Sequence, residues 1–202
     1  VWPIGEDLQA MARLYYDLYE YWAYSYYDVA EAGFPADIVV NRDESLSESV
    51  GGEAQLKWTA PAGQNITIGA EYRFDFRGDM RNFDVSPRTD YLDLSRDIQS
   101  YAFYLQDEYR PLTNLTFTAG VRYDYYDTFG DTVNPRLACV YSPVRATTLK
   151  LLYGTAFRAP NAYEFFYDDD GQTSKMNPDL KPEKVNTYEV VCEQQLGRHW
   201  RG

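Results

Sequence analysis

The sequence has 202 residues and a net charge of −12, and aromatic residues make up 17% of it, including 20 tyrosines. The acidic balance argues against nucleic-acid binding, which needs a basic surface, and two cysteines with one histidine exclude a zinc cluster or a disulfide framework. No apolar run approaches the roughly 18 residues of a membrane helix, a test that does not apply to membrane β-strands.

Alternating apolar and polar residues predict β-strands along most of the chain, and helical periodicity does not persist over any long window. Most of the predicted strands exceed the ~5–6 residues typical of globular strands and match the ~9–11 residues that cross a bilayer at a tilt. In chain order, the eight predicted strands cover residues 8–22, 48–59, 65–77, 98–110, 114–127, 134–142, 148–157 and 184–196.

The third strand has one apolar and one charged surface, because successive side chains on a strand point to opposite faces of the sheet. The apolar surface carries Ile66, Ile68, Ala70, Tyr72, Phe74 and Phe76, and the other carries Thr67, Gly69, Glu71, Arg73, Asp75 and Arg77. Residues 114–127 repeat this arrangement. An arginine facing lipid costs roughly 2–4 kcal/mol at the bilayer midplane, so the charged surface is expected to face the lumen of a barrel.

The inward-facing charges of such a wall are expected to hydrate it or to pair with one another. They are Glu71, Arg73, Asp75, Arg122, Asp124, Glu189 and Glu193. Asp107 breaks the alternation, because it shares the parity of the apolar residues Phe103 and Leu105. We expect it to lie at the periplasmic rim or beside a β-bulge.

The connections between strands alternate between short and long. The short ones are "TAPAGQN", "RPLTN" and "PVRAT"; the long ones are residues 23–47, 78–97 and 158–183, with "DTFGDTVN" the one compact member of the long set. Short periplasmic turns and long extracellular loops are typical of outer-membrane barrels. The pattern favours a membrane barrel over the alternatives, a soluble sandwich or a propeller.

The last long connection contains an acidic stretch, Asp168, Asp169 and Asp170, followed by Gly171. It does not match a calcium-binding EF-hand loop, because the first and twelfth ligand positions would be Phe166 and Asn177. We expect a solvated acidic loop, with hard-cation binding by the three aspartates as the second interpretation. The sequence contains no nucleotide-binding or catalytic motif, so we expect neither an enzyme nor a cofactor.

The residues around this connection carry a family resemblance. An aromatic-Gly-x-x-Phe-Arg-Ala-Pro segment precedes an Asn-Pro-x-Leu-x-Pro-Glu segment and a Thr-Tyr-Glu strand. These are Tyr153, Gly154, Phe157, Arg158, Ala159 and Pro160, then Asn177, Pro178, Leu180, Pro182 and Glu183, then Thr187, Tyr188 and Glu189. In order and spacing they resemble the C-terminal barrel region of TonB-dependent outer-membrane receptors, as do "IGAEYRFDFR" and "NPRLACVYSP".

The resemblance implies an all-β, antiparallel transmembrane barrel, with residues 1–202 as a partial barrel domain holding about eight of 22 strands. A plug and a TonB box are expected outside this sequence, which starts without an initiator Met and reads as an interior piece of a longer chain. The family implies uptake of a scarce ligand across the outer membrane, powered by the TonB, ExbB and ExbD partners. Ferric siderophores, cobalamin, haem and glycans are the ligands it implies.

Two other functions remain open at this point, namely a passive porin-like channel and a soluble β-sandwich that binds carbohydrate. Ligand contacts of a receptor are expected in the loops at 78–97 and 158–183. The candidates there are Arg81, Arg88, Arg158, Asn161 and Tyr163. Arg81 and Arg88 are expected to attract an anionic chelate.

Overall fold

A computed structural model describes residues 2–31, 33, 35–168, 175–177, 179–197 and 200–201. The described residues form one antiparallel sheet of eleven strands with one short α-helix and a 3-10 turn at Pro61–Gly63. The strands are β1 (Trp2–Pro3), β2 (Leu8–Asp28), β3 (Ile38–Ala60), β4 (Gln64–Asp84), β5 (Thr89–Ser95), β6 (Ile98–Leu112), β7 (Leu115–Tyr126), β8 (Gly130–Val144), β9 (Thr147–Arg158), β10 (Glu183–Leu196) and β11 (Trp200–Arg201), and the helix is α1 (Ala162–Phe166).

Apart from β5 and β6, strands that follow each other in the sequence are neighbours in the sheet. The order is β1-β2-β3-β4-β6-β7-β8-β9-β10-β11, and β5 pairs with the upper part of β4. This is an up-and-down meander in a single layer, without the second packed sheet of a sandwich in the part of the chain that is described. β2 and β10 do not pair with each other there, so the wall is open. Among the same residues, no helix is long and apolar enough to cross a membrane.

The predicted alternation sets the two faces of this sheet. Large apolar side chains stand exposed on one face, with Leu14 at 88% and Val190 at 82% of their full accessible surface. An outward apolar band runs from Trp58 to Val50 on β3 and from Ile66 to Phe74 on β4. Such exposure would be costly in water but matches a surface covered by lipid.

The predicted loops at 23–47 and 78–97 are wrong in extent, because most of their residues are paired strand. The β2–β3 hairpin pairs without interruption up to Asp28 and Ile38, and the β4–β5 hairpin pairs up to Asp84 and Thr89. The true connections are 29–37 and 85–88. A strand of 21 residues, such as β2, is about 70 Å long at roughly 3.3 Å per residue. These hairpins therefore rise well beyond a hydrocarbon core of ~30 Å.

A register shift marks the upper edge of the apolar band. Arg77 pairs with Glu48 and Asp75 pairs with Ser49, so Phe76 is an extra residue on β4. The bulge turns Arg77 away from the inner face that alternation predicted, and its guanidinium lies 3.2 Å from Glu48. Glu48 shares the outer face with Val50 and also accepts a 2.6 Å hydrogen bond from Tyr16. The outer surface thus changes from apolar to charged at this level.

Asp107 lies at the end of the wall that carries the short turns, which is one of the two placements predicted for it. It pairs in regular register with Ile66 near the short turn between β3 and β4, and accepts a 3.2 Å hydrogen bond from Gln64. The register shift on this strand lies further along, between Tyr109 and Leu112.

Candidate ligand-binding cavity

The inner face of the wall carries paired charges, as predicted. Arg122 on β7 lies 2.9 Å from Glu71 on β4 and 2.8 Å from Asp124 on its own strand. Arg73 similarly joins Asp17 on β2, at 3.1 Å, to Asp75. These bridges reach across intervening strands, so they tie the wall together and leave a hydrated, charged lumenal surface.

Above the apolar band, one buried carboxylate joins four strands. Asp84 on β4 accepts hydrogen bonds from Tyr27 on β2 at 2.5 Å, Tyr91 on β5 at 2.6 Å and Asn41 on β3 at 3.0 Å. Asn41 also exchanges hydrogen bonds with Asn82. Polar residues that resembled a loop in the sequence therefore satisfy one another across the hairpins, which lets the strands continue outside the membrane.

These contacts shift two ionisation equilibria. Burial tends to raise the pKa of Asp84, but the hydrogen bonds from Tyr27, Tyr91 and Asn41 prevail and lower it. Burial and the hydrogen bond to Asp84 raise the pKa of the Tyr27 hydroxyl above its ordinary value of 10.0. At neutral pH the network therefore holds an ionised carboxylate between neutral hydroxyls.

The connection between β9 and β10 is held by Arg158, whose guanidinium lies between two carboxylates. It is 2.7 Å from Glu183, the first residue of β10, and 2.9 Å from Glu164 on α1. Arg158 lowers the pKa of both carboxyl groups, and the backbone amide of Asn161 adds to the effect at Glu164. These two carboxylates raise the pKa of Arg158 itself. The bridge closes the base of this loop.

Asn161 begins α1 with a capping box. Its side-chain oxygen accepts a 2.8 Å hydrogen bond from the Glu164 amide, and the Glu164 carboxylate accepts one of 2.9 Å from the Asn161 amide. The motif explains why a five-residue helix forms directly after Pro160. It also fixes the direction in which Tyr163 leaves the helix, towards the tall hairpins.

The loop and the hairpins line a half-open cavity of about 580 Å³. We call it the tyrosine cavity, since four tyrosines line it together with an arginine and an asparagine: Tyr19, Tyr21, Tyr163, Tyr167, Arg81 and Asn161. The Tyr163 and Tyr167 rings stack with centroids 4.3 Å apart. Its volume lies within the roughly 300–1,000 Å³ of small-molecule pockets.

Two of the five predicted ligand contacts, Asn161 and Tyr163, thus meet at one cavity. Arg81 borders it, but Arg81 pairs with Glu44 in the register of the outer face, where its guanidinium lies 3.1 Å from Asp93.

The remaining two predicted contacts lie further from the cavity. Arg88 pairs with Asp90 and stacks over the Phe83 ring at 3.5 Å, and Arg158 forms the bridge at the base of the loop.

Of the three aspartates considered for a cation, Asp169 and Asp170 lie outside the described residues. Asp168 accepts a hydrogen bond of 3.4 Å from the Met176 amide. Within the described part of the chain, no group of three or more histidine, cysteine or acidic side chains is arranged to hold a metal ion.

Sequence reasoning missed the tyrosines contributed by β2. Tyr19 and Tyr21 share the parity of Asp17, which faces inward and binds Arg73. The alternation therefore contained the signal that they face the lumen. The sequence did not show that these tyrosines lie beside the loop between β9 and β10, because that loop is more than a hundred residues away along the chain.

Comparisons with known proteins point to one family. The family model for the TonB dependent receptor-like β-barrel matches residues 2–191. The chain is 32% identical over 102 residues to the vitamin B12 transporter BtuB of Photobacterium profundum, which is 50% of this chain and 16% of that transporter.

Two solved structures share the fold. One is P. aeruginosa FpvA bound to heterologous pyoverdines, with a TM-score of 0.72, 13% identity and coverage of 96% of this chain and 29% of that one. The other is the copper transporter OprC, with a TM-score of 0.72, 14% identity and coverage of 96% and 34%. The chain therefore spans about a third or less of the length of these proteins.

Proposed function

The chain belongs to the TonB-dependent receptor-like β-barrel family, and on that premise we propose that it forms part of the wall of a receptor that takes up a scarce ligand by TonB-coupled active transport. The family is one of outer-membrane proteins, and two of the relatives above, BtuB and OprC, are named as transporters. The observation that carries the proposal is the family match across residues 2–191.

The geometry supports a receptor that meets its ligand outside the membrane. The tall hairpins and the loop that begins at Arg158 rise above the apolar band and line the tyrosine cavity. Below it, the paired charges of the inner wall form a polar surface along the lumen. A ligand held in the cavity would lie at the outer end of that polar path, with Asn161 and Tyr163 as its proposed contacts.

Transport in this proposal depends on parts of the receptor beyond these residues. Ligand binding shifts the population of a plug inside the barrel, and TonB with ExbB and ExbD supplies the mechanical work. A ferric siderophore or cobalamin is the proposed class of cargo. A passive porin would share the wall, but no feature of the described residues favours it over a receptor.

The proposal is tested with the full-length gene in a strain that lacks its own siderophore and cobalamin receptors. Accumulation of ⁵⁵Fe from ferric siderophores and of labelled cyanocobalamin is measured with TonB present and deleted. A receptor accumulates at least one of these compounds, and only when TonB is present. Accumulation that persists without TonB would establish a passive channel instead.

A further inference from the structure

We infer that the outer face of the tall hairpins, directly above the apolar band, binds the phosphorylated headgroups of lipids in the outer leaflet. This surface lies outside the barrel, and its role does not depend on the proposed transport function. The inference follows from a bulge that turns charged side chains outward, from the groove that these side chains line, and from the continuity of that groove with the lipid-facing band.

The bulge at Phe76 changes which residues of β4 face outward. Above it, Arg77, Asp79 and Arg81 stand on the outer face, because their partners on β3 continue the parity of Val50. Without the extra residue, alternation would turn these three charged side chains into the lumen. A bulge interrupts the ladder of hydrogen bonds and serves to redirect side chains. Here it directs two arginines and an aspartate outward at the level where the apolar band ends.

The redirected side chains line a half-open groove of about 160 Å³, which we call the outer groove. Trp22 and Leu46 form its apolar lining on the outer face, and Trp22 pairs there with Glu44 in the register of β2 and β3. The charged lining consists of three arginines and three acidic residues: Arg42, Arg77, Arg81, Glu20, Glu44 and Asp79. The outer groove is thus electrically balanced, in a chain whose net charge is −12.

The arginines of the outer groove can exchange their partners for a phosphate. Arg81 contacts Asp93 through Nε at 3.1 Å and its side chain is 53% exposed. Arg77 contacts Asp79 through Nε at 2.6 Å and Glu48 through Nη1 at 3.2 Å, and it is 45% exposed. A guanidinium has five N–H donors and binds phosphate oxygens in pairs. Because exposed ion pairs contribute little to stability, a phosphate can share these guanidinium groups with the carboxylates at little cost.

The height of the outer groove matches the headgroup layer of a bilayer. From Arg77 to Arg81 the strand rises about 10 Å, at roughly 3.3 Å per residue and a tilt of ~40°. The headgroup layer is about 5–8 Å deep on each side of the hydrocarbon core. Arg77 therefore lies within that layer and Arg81 at its outer border. Tyr16 and Trp22 stand exposed on the same face, as the aromatic girdle of a barrel does at the interface with water.

Continuity with the apolar band identifies a lipid as the occupant. Val50 and Phe74 pair on the outer face next to the bulge, and the Arg77 row follows directly above them. A lipid whose acyl chains cover Val50 and Phe74 would place its headgroup against Arg77 and the outer groove. A free phosphate ion would make the charged contact alone and would gain nothing from the apolar band.

The test varies the number of phosphates on one lipid, so that the acyl chains stay constant. The probes are diphosphoryl and monophosphoryl lipid A, from which divalent cations have been removed. Their binding to the purified full-length receptor in detergent micelles is measured by native mass spectrometry. We expect the diphosphoryl lipid to bind about fivefold more tightly than the monophosphoryl lipid, which is the effect of one additional charge contact at a lipid surface.

Charge variants locate the binding surface. Arg77→Gln combined with Arg81→Gln is expected to weaken binding of diphosphoryl lipid A by about tenfold or more. Glu20→Gln removes a negative charge from the outer groove and is expected to strengthen binding by about threefold. Arg13→Gln is the matched control, because Arg13 is similarly exposed but pairs with Glu53 on the inner face, and it should leave the affinity unchanged. The heat-dependent gel mobility of each variant shows that its barrel is folded.

The inference is overturned if the two lipids bind equally tightly, or if the double arginine variant binds diphosphoryl lipid A as tightly as Arg13→Gln does. It is also overturned if excess inorganic phosphate displaces the lipid completely, since the groove would then be a site for free phosphate. None of these results bears on TonB-dependent accumulation, which tests the proposed function separately.

Discussion

The hydroxyl of Tyr27 donates a 2.5 Å hydrogen bond to Asp84 across the whole width of β3. Removing that hydroxyl in Tyr27→Phe is expected to cost about 1 kcal/mol of local stability, because a buried carboxylate loses one of its donors. Hydrogen exchange of the full-length receptor should therefore become faster at the upper ends of β2 and β3. Tyr26→Phe is the control, since Tyr26 is 71% exposed on the outer face; equal exchange in the two variants would contradict the assigned role.

The hydrogen-bond network around Asp84 also predicts how the stability of the upper hairpins changes with pH. The pKa of Asp84 is lowered in the folded protein, so its stabilising effect is complete above the ordinary carboxyl pKa of 3.8 and is lost as the pH falls through the lower folded value. Protection of the upper hairpins against exchange should thus fall in acid. In Asp84→Asn that acid-dependent component should be absent, and an unchanged pH profile in this variant would argue against the network.

The Arg158 bridge is expected to control the order of the loop that begins after β9. Arg158→Lys keeps the charge but loses the planar fork that contacts two carboxylates at once. We expect faster proteolytic cleavage between residues 159 and 182 in intact cells, with the barrel still folded. Arg88→Lys, which changes an arginine with a single carboxylate partner outside this loop, is the control and should leave the cleavage rate unaltered.

The fold was predictable from alternation, and the reasons are visible in single strands. On β7, every second residue from Leu115 to Tyr125 is apolar or aromatic, and this alone assigns the outer face. Alternation failed at the upper ends of β3 and β4, where Asn41, Asn82 and Asp84 are typical loop residues. They form strand because each finds a polar partner on a neighbouring strand, and such pairing between distant residues leaves no local pattern.

The candidate site was predictable in part for the same reason. Pro160 and the polar residues after it marked a loop, which drew attention to Asn161 and Tyr163. The partners that complete the cavity, Tyr19 and Tyr21, come from a strand at the other end of the chain. The carboxylate that compensates Arg81 also comes from another strand, β5, which the sequence presented as loop.

The alternation itself can be tested on two adjacent residues of β6. Leu105 faces outward near the middle of the apolar band, and Gln106 faces the lumen. Leu105→Arg is expected to destabilise the barrel by roughly 2–4 kcal/mol, because it places a charge against the lipid chains. Gln106→Arg is expected to cost less than about 1 kcal/mol. Urea unfolding of the full-length receptor in lipid bilayers measures the loss of stability in each variant. Equal losses would contradict the assignment of Leu105 to the lipid face and Gln106 to the lumen.

A glycine on β4 accommodates the aromatic ring of the strand opposite. A Cβ atom at Gly69 would lie 2.1 Å from Cζ of Tyr104, whose hydroxyl donates a 2.8 Å hydrogen bond to Glu53 on β3. Gly69→Ala is expected to displace this ring, break the hydrogen bond and destabilise the barrel by about 1–2 kcal/mol in urea unfolding.

Two further variants separate this steric effect from a general effect of alanine in a strand. Gly154→Ala is the matched control, because a Cβ atom there would meet nothing closer than Arg136 Cβ at 4.0 Å. In a Tyr104→Ala background, the cost of Gly69→Ala should disappear, since the ring that it displaces is gone. If the cost persists without the ring, the tyrosine is not the reason that glycine occupies position 69.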